Sequence, residues 1–284
     1  MSELAAARQL RFAGADGGTL VADAVGHGPP VVLLHGGGQT RRSWRRTAAE
    51  LAAAGHTAVS VDLRGHGDSD WAADGRYGVD NNVRDLRAVL DQLDQRPALV
   101  GASMGGIAAL MLLGGEPDGG LALASALVLV DVTPRLEEKG LERIRGFMQS
   151  APDGFASMDE AADAVASYLP GRPRPRTTQG LAHNLRRQAD GRWHWHWDPR
   201  LLEQLPDNDE ARHRMLVAHA RQVRAPTLLV HGGRSDVVSA AGVRELRELM
   251  PHAVVAEIGD ARHMVAGDDN DAFTAQIVDF LASR

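Results

Sequence analysis

The stretch from Ala98 to Gly106, Ala-Leu-Val-Gly-Ala-Ser-Met-Gly-Gly, decides the fold of this chain. A short apolar strand leads into Gly-Ala-Ser-Met-Gly at 101–105, which has the pattern Gly-x-Ser-x-Gly, and an apolar run of helical composition follows at 107–113. Glycines are needed in so sharp a turn because a Cβ atom there would meet the neighbouring backbone. The pattern predicts a buried strand, a strained turn and a buried helix, with the hydroxyl group of Ser103 raised above a sheet.

The same alternation of strand and helix extends over most of the chain. Strands are predicted at 31–34, 58–63, 98–100, 126–132, 227–232 and 253–258, and helices at 40–54, 82–93, 107–113, 240–250 and 272–281. Most of these strands are continuously apolar, which is typical of a parallel sheet covered by helices on both faces. The sequence therefore predicts an α/β protein.

The alternation breaks between about Pro134 and Val223. This segment is richer in proline, arginine and amide side chains, and it contains helical patches such as the one at 160–169. Residues 134–223 are therefore predicted to form an inserted subdomain, and residues 1–133 and 224–284 to form the α/β core.

The composition excludes several classes of protein. The 284 residues include 31 Lys and Arg against 37 Asp and Glu, a net charge of −6 that opposes nucleic-acid binding. The absence of cysteine excludes disulfides and a cysteine nucleophile. The N-terminal residues do not resemble a secretory signal, and the longest apolar run, 121–130, is about half the length that a bilayer requires. We expect a cytoplasmic protein without a membrane span, and its oligomeric state stays open.

Ser103 needs two further side chains to act as a nucleophile. A serine hydroxyl is a poor nucleophile until a base removes its proton, so a histidine must lie at the same edge of the sheet. His263 follows the last predicted strand, where such loops converge. An acid must then orient the imidazole ring. Asp236 follows the penultimate strand and completes the chain order Ser, Asp, His, whereas Asp131, which ends the strand after Ser103, is the alternative acid.

Two glycine-rich segments offer backbone amides to a developing oxyanion. Such an anion needs preorganised N–H donors. The amide of Met104 begins the helix that follows Ser103, and the loop Gly36–Gly38, after an early strand, offers a second amide, which we assign to Gly37. Because this loop has no side chains, a substrate carbonyl group is free to approach it. The sequence thus predicts an oxyanion hole formed by Gly37 and Met104.

The predicted insertion contains a cluster of tryptophans. Three of the five tryptophans of the chain fall within it at Trp193, Trp195 and Trp197. In an extended segment their rings share one face. They either bind an apolar acyl or alkoxy group of a substrate or pack the insertion onto the core. The intervening histidines and Asp198 have the spacing of metal ligands, but no further ligand follows and a serine site needs no metal, so no metal is predicted.

These segments, in this order across nearly the whole chain, resemble the α/β-hydrolase fold family. The resemblance is carried by the glycine loop after His35, the run Asp62–Ser69, and the loops that contain Ser103, Asp236 and His263. It implies a mostly parallel sheet of eight strands with helices on both faces, and a helical cap formed by residues 134–223. It also implies a triad of Ser103, Asp236 and His263, with Gly37 and Met104 as oxyanion donors.

The residues and the resemblance together predict a cofactor-independent serine hydrolase. We expect it to cleave a small-molecule carboxylic ester or lactone through an acyl-enzyme on Ser103. The same arrangement also suits a C–C bond hydrolase or a cofactor-free perhydrolase or haloperoxidase. A receptor-like protein that binds a ligand in the same pocket and turns it over slowly is a further alternative, because function depends on the site rather than on the fold.

Overall fold

A sheet of eight strands forms the centre of the computed structural model, which describes residues 7–168, 178, 180–204, 210–259, 261 and 271–282. In chain order the strands are β1 (Arg8–Ala13), β2 (Thr19–Gly26), β3 (Pro30–Leu34), β4 (Thr57–Val61), β5 (Ala98–Ala102), β6 (Ala126–Val130), β7 (Leu185–Arg187), β8 (Trp193–Trp195), β9 (Thr227–Gly232) and β10 (Val254–Ile258). The short strands β7 and β8 form a separate antiparallel hairpin. The other eight strands form the sheet in the order β1-β2-β4-β3-β5-β6-β9-β10.

The six strands from β4 to β10 in this spatial order are parallel, and β1 and β2 join them in antiparallel orientation. The predicted α/β fold with a mostly parallel sheet of eight strands is thereby confirmed. Strands β1 and β2 are not among the predicted strands; β1 is an edge segment that buries only Phe12 and so lacks an apolar run. The parallel pairing brings the carboxyl ends of β3, β5, β6 and β9 to one edge of the sheet, where the predicted site residues follow them.

The described residues form eight α-helices. They are α1 (Arg45–Ala53), α2 (Val79–Asp91), α3 (Met104–Gly114), α4 (Glu138–Met148), α5 (Met158–Tyr168), α6 (Glu210–Gln222), α7 (Ala240–Leu249) and α8 (Asp271–Ala282). The helix predicted at 40–54 begins instead with a 3-10 turn at Arg41–Trp44, and a further such turn spans Pro199–Gln204. Within the described ranges, no helix combines the length and the apolar character that crossing a bilayer requires.

Apolar side chains cover both faces of the sheet. Successive residues of β3 alternate between the two: Val32 and Leu34 pack in the cluster that contains α2 and α3, whereas Val31 and Leu33 pack in the cluster that contains α1 and α8. Truncation of one such buried leucine typically costs 2–5 kcal/mol, so the sheet that carries the site loops is firmly held.

The segment between β6 and β9 divides into two parts by its packing. Residues 138–204 are called the insertion below, and their described part forms a third apolar cluster with Phe155, Leu185, Trp195 and Leu201, which Tyr77 of the core joins. Helix α6 instead packs on α3 and belongs to the core cluster. The two helices approach closely because α3 has a glycine there: a Cβ on Gly114 would lie 2.3 Å from a backbone oxygen of α6. The domain boundaries at 133 and 223 stay predictions, and α6 packs as a core helix.

Candidate active site

Ser103 occupies the turn between β5 and α3 that the sequence predicts. Its backbone has φ 45° and ψ −115°, in a region that side chains rarely adopt. The turn leaves no space for a Cβ on either neighbouring glycine. On Gly105 it would lie 2.6 Å from Cβ of Leu34, and on Gly101 it would lie 2.5 Å from Cα of Gly106. A strained residue held this rigidly is typical of a functional position.

The loop Gly36–Gly38 lies beside Ser103. A Cβ on Gly36 would be 3.3 Å from Cβ of Ser103, so the loop has no room for side chains at this point. The amide of Gly36 donates to Oε1 of Gln39 at 3.1 Å, and the amide of Gly38 donates to Nε2 of His66 at 3.2 Å. These two hydrogen bonds hold the loop on both sides of Gly37.

The amides of Gly37 and Met104 differ from those of their neighbours. In the part of the chain that the structure describes, no protein group accepts a hydrogen bond from either of them. Both residues line the same cavity as Ser103. Two N–H donors without a protein acceptor beside a serine hydroxyl are suited to bind an anionic oxygen.

The cavity has a volume of about 130 Å³ and lies between the sheet edge, α2, α3, α4 and α6. Its walls are mainly apolar, with Val79, Ile107, Leu136, Leu141, Ile144, Met148 and Met215. Polar side chains also line the cavity, namely Gln39, Tyr77, Asn82, Ser103, Arg145, Tyr168 and Arg212. This cavity suits a small, largely apolar molecule with a few polar groups.

The two candidate acids lie after neighbouring strands and have different surroundings. Asp236 follows β9, and its carboxylate accepts hydrogen bonds from Nε and Nη2 of Arg143 on α4 at 2.6 and 2.9 Å. Asp131 follows β6, is completely buried and has φ 50°. Its carboxylate accepts hydrogen bonds from the amide of Gly232 at 3.1 Å and from Oγ of Ser235 at 2.7 Å. Ser103 and Asp131 are the described residues other than glycine with positive φ.

The predicted base, His263, lies outside the described residues. The strand that precedes it is described: β10 pairs in parallel with β9, and Ile258 at its end lies opposite Gly232. The chain therefore leaves β10 at the same edge of the sheet where β5 leads to Ser103.

The family model for the alpha/beta hydrolase fold matches residues 29–269. The chain belongs to the α/β-hydrolase family. This match covers most of the chain, and it includes six of the eight strands of the sheet, the insertion and every residue assigned to the site. The protein is therefore an α/β-hydrolase enzyme.

Known proteins similar to this hydrolase include enzymes of differing activity. Esterase Rv0045c of Mycobacterium tuberculosis is 33% identical over 237 residues, which are 80% of this chain and 74% of that one. A solved structure of that esterase superimposes with a TM-score of 0.78 at 29% identity, covering 99% of this chain and 93% of the other. For an α/β hydrolase from Novosphingobium aromaticivorans the TM-score is 0.80 at 25% identity, covering 98% of this chain and 99% of the other. Non-heme chloroperoxidase CPO-A1 of Kitasatospora aureofaciens is 27% identical over 279 residues, 90% of this chain and 93% of that one.

The three tryptophans of the insertion are not part of the hydrolase cavity. Trp195 and Trp197 stack with their ring centroids 4.8 Å apart, and Trp195 meets Phe155 at 5.1 Å. Trp193 is half-buried on the hairpin. These rings pack in the apolar cluster of the insertion, which agrees with a packing role, and their contact with a substrate stays a prediction. Trp197 also contacts the glycine loop: a Cβ on Gly38 would lie 3.4 Å from its ring.

Three buried histidines, none of them predicted as site residues, support the glycine loops of the hydrolase. Nδ1 of His35 donates to the carbonyl of Gly36 at 2.8 Å, and His196 of the insertion accepts a hydrogen bond from the amide of Gly67 at 2.8 Å. Burial lowers the pKa of His35 to about 4 and that of His66 to about 3, and it also lowers the pKa of His196. At neutral pH all three rings are therefore uncharged, as acceptance of an N–H bond by His66 and His196 requires.

Proposed function

We propose that the hydrolase cleaves a carboxylic ester or lactone through an acyl-enzyme on Ser103. The main support is the cavity itself. It brings together a serine in a strained turn and two backbone amides, those of Gly37 and Met104, that have no acceptor in the described part of the chain. The similarity to esterase Rv0045c agrees with this reaction.

The proposed reaction proceeds by acyl transfer. Oγ of Ser103 attacks the carbonyl carbon of the ester while His263 accepts the hydroxyl proton. The negative charge that develops on the carbonyl oxygen is stabilised by the amides of Gly37 and Met104, and each such donor typically contributes 10²–10³-fold in rate. His263 then protonates the departing alkoxide. Water repeats the sequence on the acyl-enzyme and releases the acid.

We assign the orienting acid to Asp236, which Arg143 holds by two hydrogen bonds. Asp131 is the alternative because it is buried in a strained backbone at the end of the adjacent strand. The variants Asp236→Asn and Asp131→Asn distinguish them. Loss of the orienting carboxylate is expected to lower kcat by about 10⁴-fold, because the imidazole loses its productive tautomer. A loss of that size in Asp131→Asn, with Asp236→Asn close to the wild type, would transfer the role to Asp131.

We further propose that the insertion acts as a cap. Four residues of α4, namely Leu141, Ile144, Arg145 and Met148, line the cavity together with Tyr168 at the end of α5. A substrate at Ser103 would therefore contact the core on one side and the insertion on the other. In this arrangement the core supplies the reacting groups, and the insertion limits the size and shape of the substrate.

The test is hydrolysis of p-nitrophenyl esters and lactones of graded size by the wild type and by Ser103→Ala. We expect turnover by the wild type and loss of at least about 10³-fold in the variant. Ser150→Ala, at an exposed serine outside the cavity, is the matched control and should keep full activity. A fluorophosphonate should label the wild type and the Ser150 variant but not the Ser103 variant. Full esterase activity in Ser103→Ala would falsify the proposal.

A second candidate function is perhydrolysis, in which hydrogen peroxide replaces water and attacks the acyl-enzyme. It is favoured by the similarity to CPO-A1 over nearly the full length of both chains. Peracetic acid formation from acetate and hydrogen peroxide, compared with p-nitrophenyl acetate hydrolysis at equal enzyme concentration, separates the two. Faster peracid formation would make perhydrolysis the principal activity.

A further inference from the structure

Asn82 is a polar residue in the wall of the active-site cavity to which the proposed reaction gives no role. It lies in the first turn of α2 and is 3% exposed. Asn82 lines the same cavity as Ser103. Its Oδ1 atom is buried, and no group in the described part of the chain forms a hydrogen bond with it.

Such an arrangement is costly in the empty enzyme. A buried polar group without a hydrogen-bond partner typically destabilises a protein by about 1–3 kcal/mol. A leucine of similar size would fill this space without that penalty. The helix does not use the side chain as a cap either, because the residue that precedes α2 is Gly78. The position of Asn82 in the cavity wall therefore indicates a partner that arrives with the substrate.

The adjacent asparagine provides an internal comparison. Asn81 is also largely buried, but its Nδ2 donates to the backbone carbonyl of Arg76 at 3.4 Å, and it does not line the cavity. Two identical side chains in one helical turn thus have different surroundings. One has a partner within the protein, and the other adjoins the space that the substrate would occupy.

We infer that Asn82 determines specificity by forming a hydrogen bond with a hydroxyl or amide group of the substrate. This inference rests on the proposed ester hydrolysis and narrows its substrate class. The preferred esters carry one such group on an otherwise apolar acyl or alcohol part, since the nearby walls are formed by Val79, Ile107 and Ile144. A cationic group is disfavoured, because the charged residues among the described cavity lining are Arg145 and Arg212.

The experiment compares esters that differ by one polar group. The first pair is p-nitrophenyl butyrate and p-nitrophenyl 3-hydroxybutyrate, and the second is p-nitrophenyl 4-methylpentanoate and its N-acetylglycine analogue. For each pair, the ratio of kcat/KM for the polar to the apolar ester is measured in the wild type, Asn82→Leu and the matched control Asn81→Leu. Using ratios removes differences in protein concentration and in the catalytic step.

We expect Asn82→Leu to lower this ratio by about 10- to 100-fold for at least one pair, because the polar ester would lose its partner. The loss should fall mainly on the polar ester of the pair, and Asn81→Leu should keep the wild-type ratio. Normal hydrolysis with unchanged ratios for both pairs would overturn the role of Asn82 and leave ester hydrolysis intact. If the wild type hydrolysed none of the esters, the proposed function and this inference would fail together.

A binding measurement on the wild type tests the inference without depending on whether a variant folds. Alkylboronic acids form reversible adducts with a nucleophilic serine, so their inhibition constants report on the same cavity. An alkylboronic acid with a hydroxyl group at the position that corresponds to C3 of the hydroxybutyrate should bind about tenfold more tightly than its plain counterpart. Equal inhibition constants, together with equal kcat/KM values for both ester pairs, would overturn the inference without any variant.

Discussion

The core and the insertion are held together by different kinds of contact, although both contribute to the same cavity. In the core, continuous strands pair over most of their length, and buried aliphatic residues cover both faces of the sheet. The described part of the insertion has one short hairpin, and its cluster contains stacked rings such as Trp195 and Trp197. The loops at the cavity are thus held by regular strand pairing on the core side, whereas less regular packing forms the wall on the insertion side.

The contacts between the two regions include several hydrogen bonds. Tyr77 of the core donates to Asp198 of the insertion at 2.5 Å, and Gly67 donates to His196 at 2.8 Å. Polar contacts require the correct partner at the correct distance, whereas apolar packing tolerates several side chains of similar volume. The junction is thus expected to be more sensitive to pH and to single substitutions than the interior of the core.

The largest effect on stability is expected when one methyl group is added to the core at Gly105. In Gly105→Ala the new Cβ would lie 2.6–2.8 Å from Cβ and the carbonyl oxygen of Leu34 and from the carbonyl oxygen of His35. Because backbone atoms cannot move aside easily, we expect a loss of about 3 kcal/mol or more in the free energy of unfolding, and loss of activity. Urea denaturation and ester hydrolysis measure the two effects.

The insertion offers the matched control for that change. Gly146 lies in α4, and a Cβ there would have no atom within 4 Å. Gly146→Ala should therefore raise stability by about 0.5–1 kcal/mol, since alanine favours the helix. Equal effects of the two substitutions would contradict the contrast between a tightly constrained turn and an open helix surface.

A smaller effect is expected from the stacked rings of the insertion. Trp197 is 3% exposed, stacks on Trp195 and contacts the loop at Gly38. Trp197→Ala should cost about 3 kcal/mol, because a large buried ring is removed. Hydrogen exchange should become faster in the insertion and stay slow in β5 and β6, and KM should rise more than kcat falls. Trp71→Ala, at a tryptophan that is 44% exposed, is the control and should leave hydrogen exchange and KM unchanged. Uniformly faster exchange would show that the two regions unfold as one.

The contrast between the regular core and the less regular insertion also explains which features the sequence predicts. Apolar runs such as Ala98–Ala102 predict their strands because a strand buried on both faces must be apolar at every position. The placement of Ser103, Gly37 and Met104 around one cavity follows from the order of strands and loops, and the cavity does contain all three. These predictions depend on local pattern and on general rules of parallel sheets, so one sequence is sufficient for them.

Other features depend on contacts between distant segments, which a local pattern does not reveal. The hydrogen bond between Gly67 and His196 joins residues 129 positions apart, and nothing near His196 indicates its partner. Trp197 follows the end of β8, so the alternation of an extended strand does not give the direction of its ring. Asn81 and Asn82 are adjacent and of the same type, so the sequence does not indicate that Asn82 lines the cavity and that Asn81 bonds the backbone.

The buried histidines near the junction predict a dependence of stability on pH. His35 and His66 have pKa values of about 4 and about 3 in the folded protein, against about 6.5 in the unfolded chain. Below pH 6.5 the unfolded chain therefore binds protons that the folded protein does not, and stability falls as the pH decreases. We expect these two rings to contribute a loss of about 2.5 kcal/mol between pH 7 and pH 5.5, to which the buried ring of His196 adds, measured by urea denaturation at both values.

Replacement of the histidine contributed by the insertion sharpens that prediction. His196→Gln removes one group whose pKa burial lowers, so the loss of stability between pH 7 and pH 5.5 should become smaller. Stability that is equal at the two pH values in the wild type would contradict the burial of these rings. A decrease of the same size in His196→Gln as in the wild type would assign the effect to histidines of the core alone.

The smallest effect is expected from an exposed ion pair between the two regions. Nη2 of Arg186 in the insertion lies 2.8 Å from Oδ1 of Asp68, and both side chains are 42% exposed. Exposed pairs of this kind typically contribute about 0.2–1 kcal/mol, because water and salt screen the charges. Arg186→Ala should therefore lower the free energy of unfolding by less than about 1 kcal/mol, and the difference should shrink in 1 M NaCl. Arg187→Ala, on the same hairpin and outside this pair, is the control and should have no measurable effect. A loss of several kcal/mol in Arg186→Ala, unchanged by salt, would mean that this charge pair fixes the insertion on the core as firmly as the buried rings do.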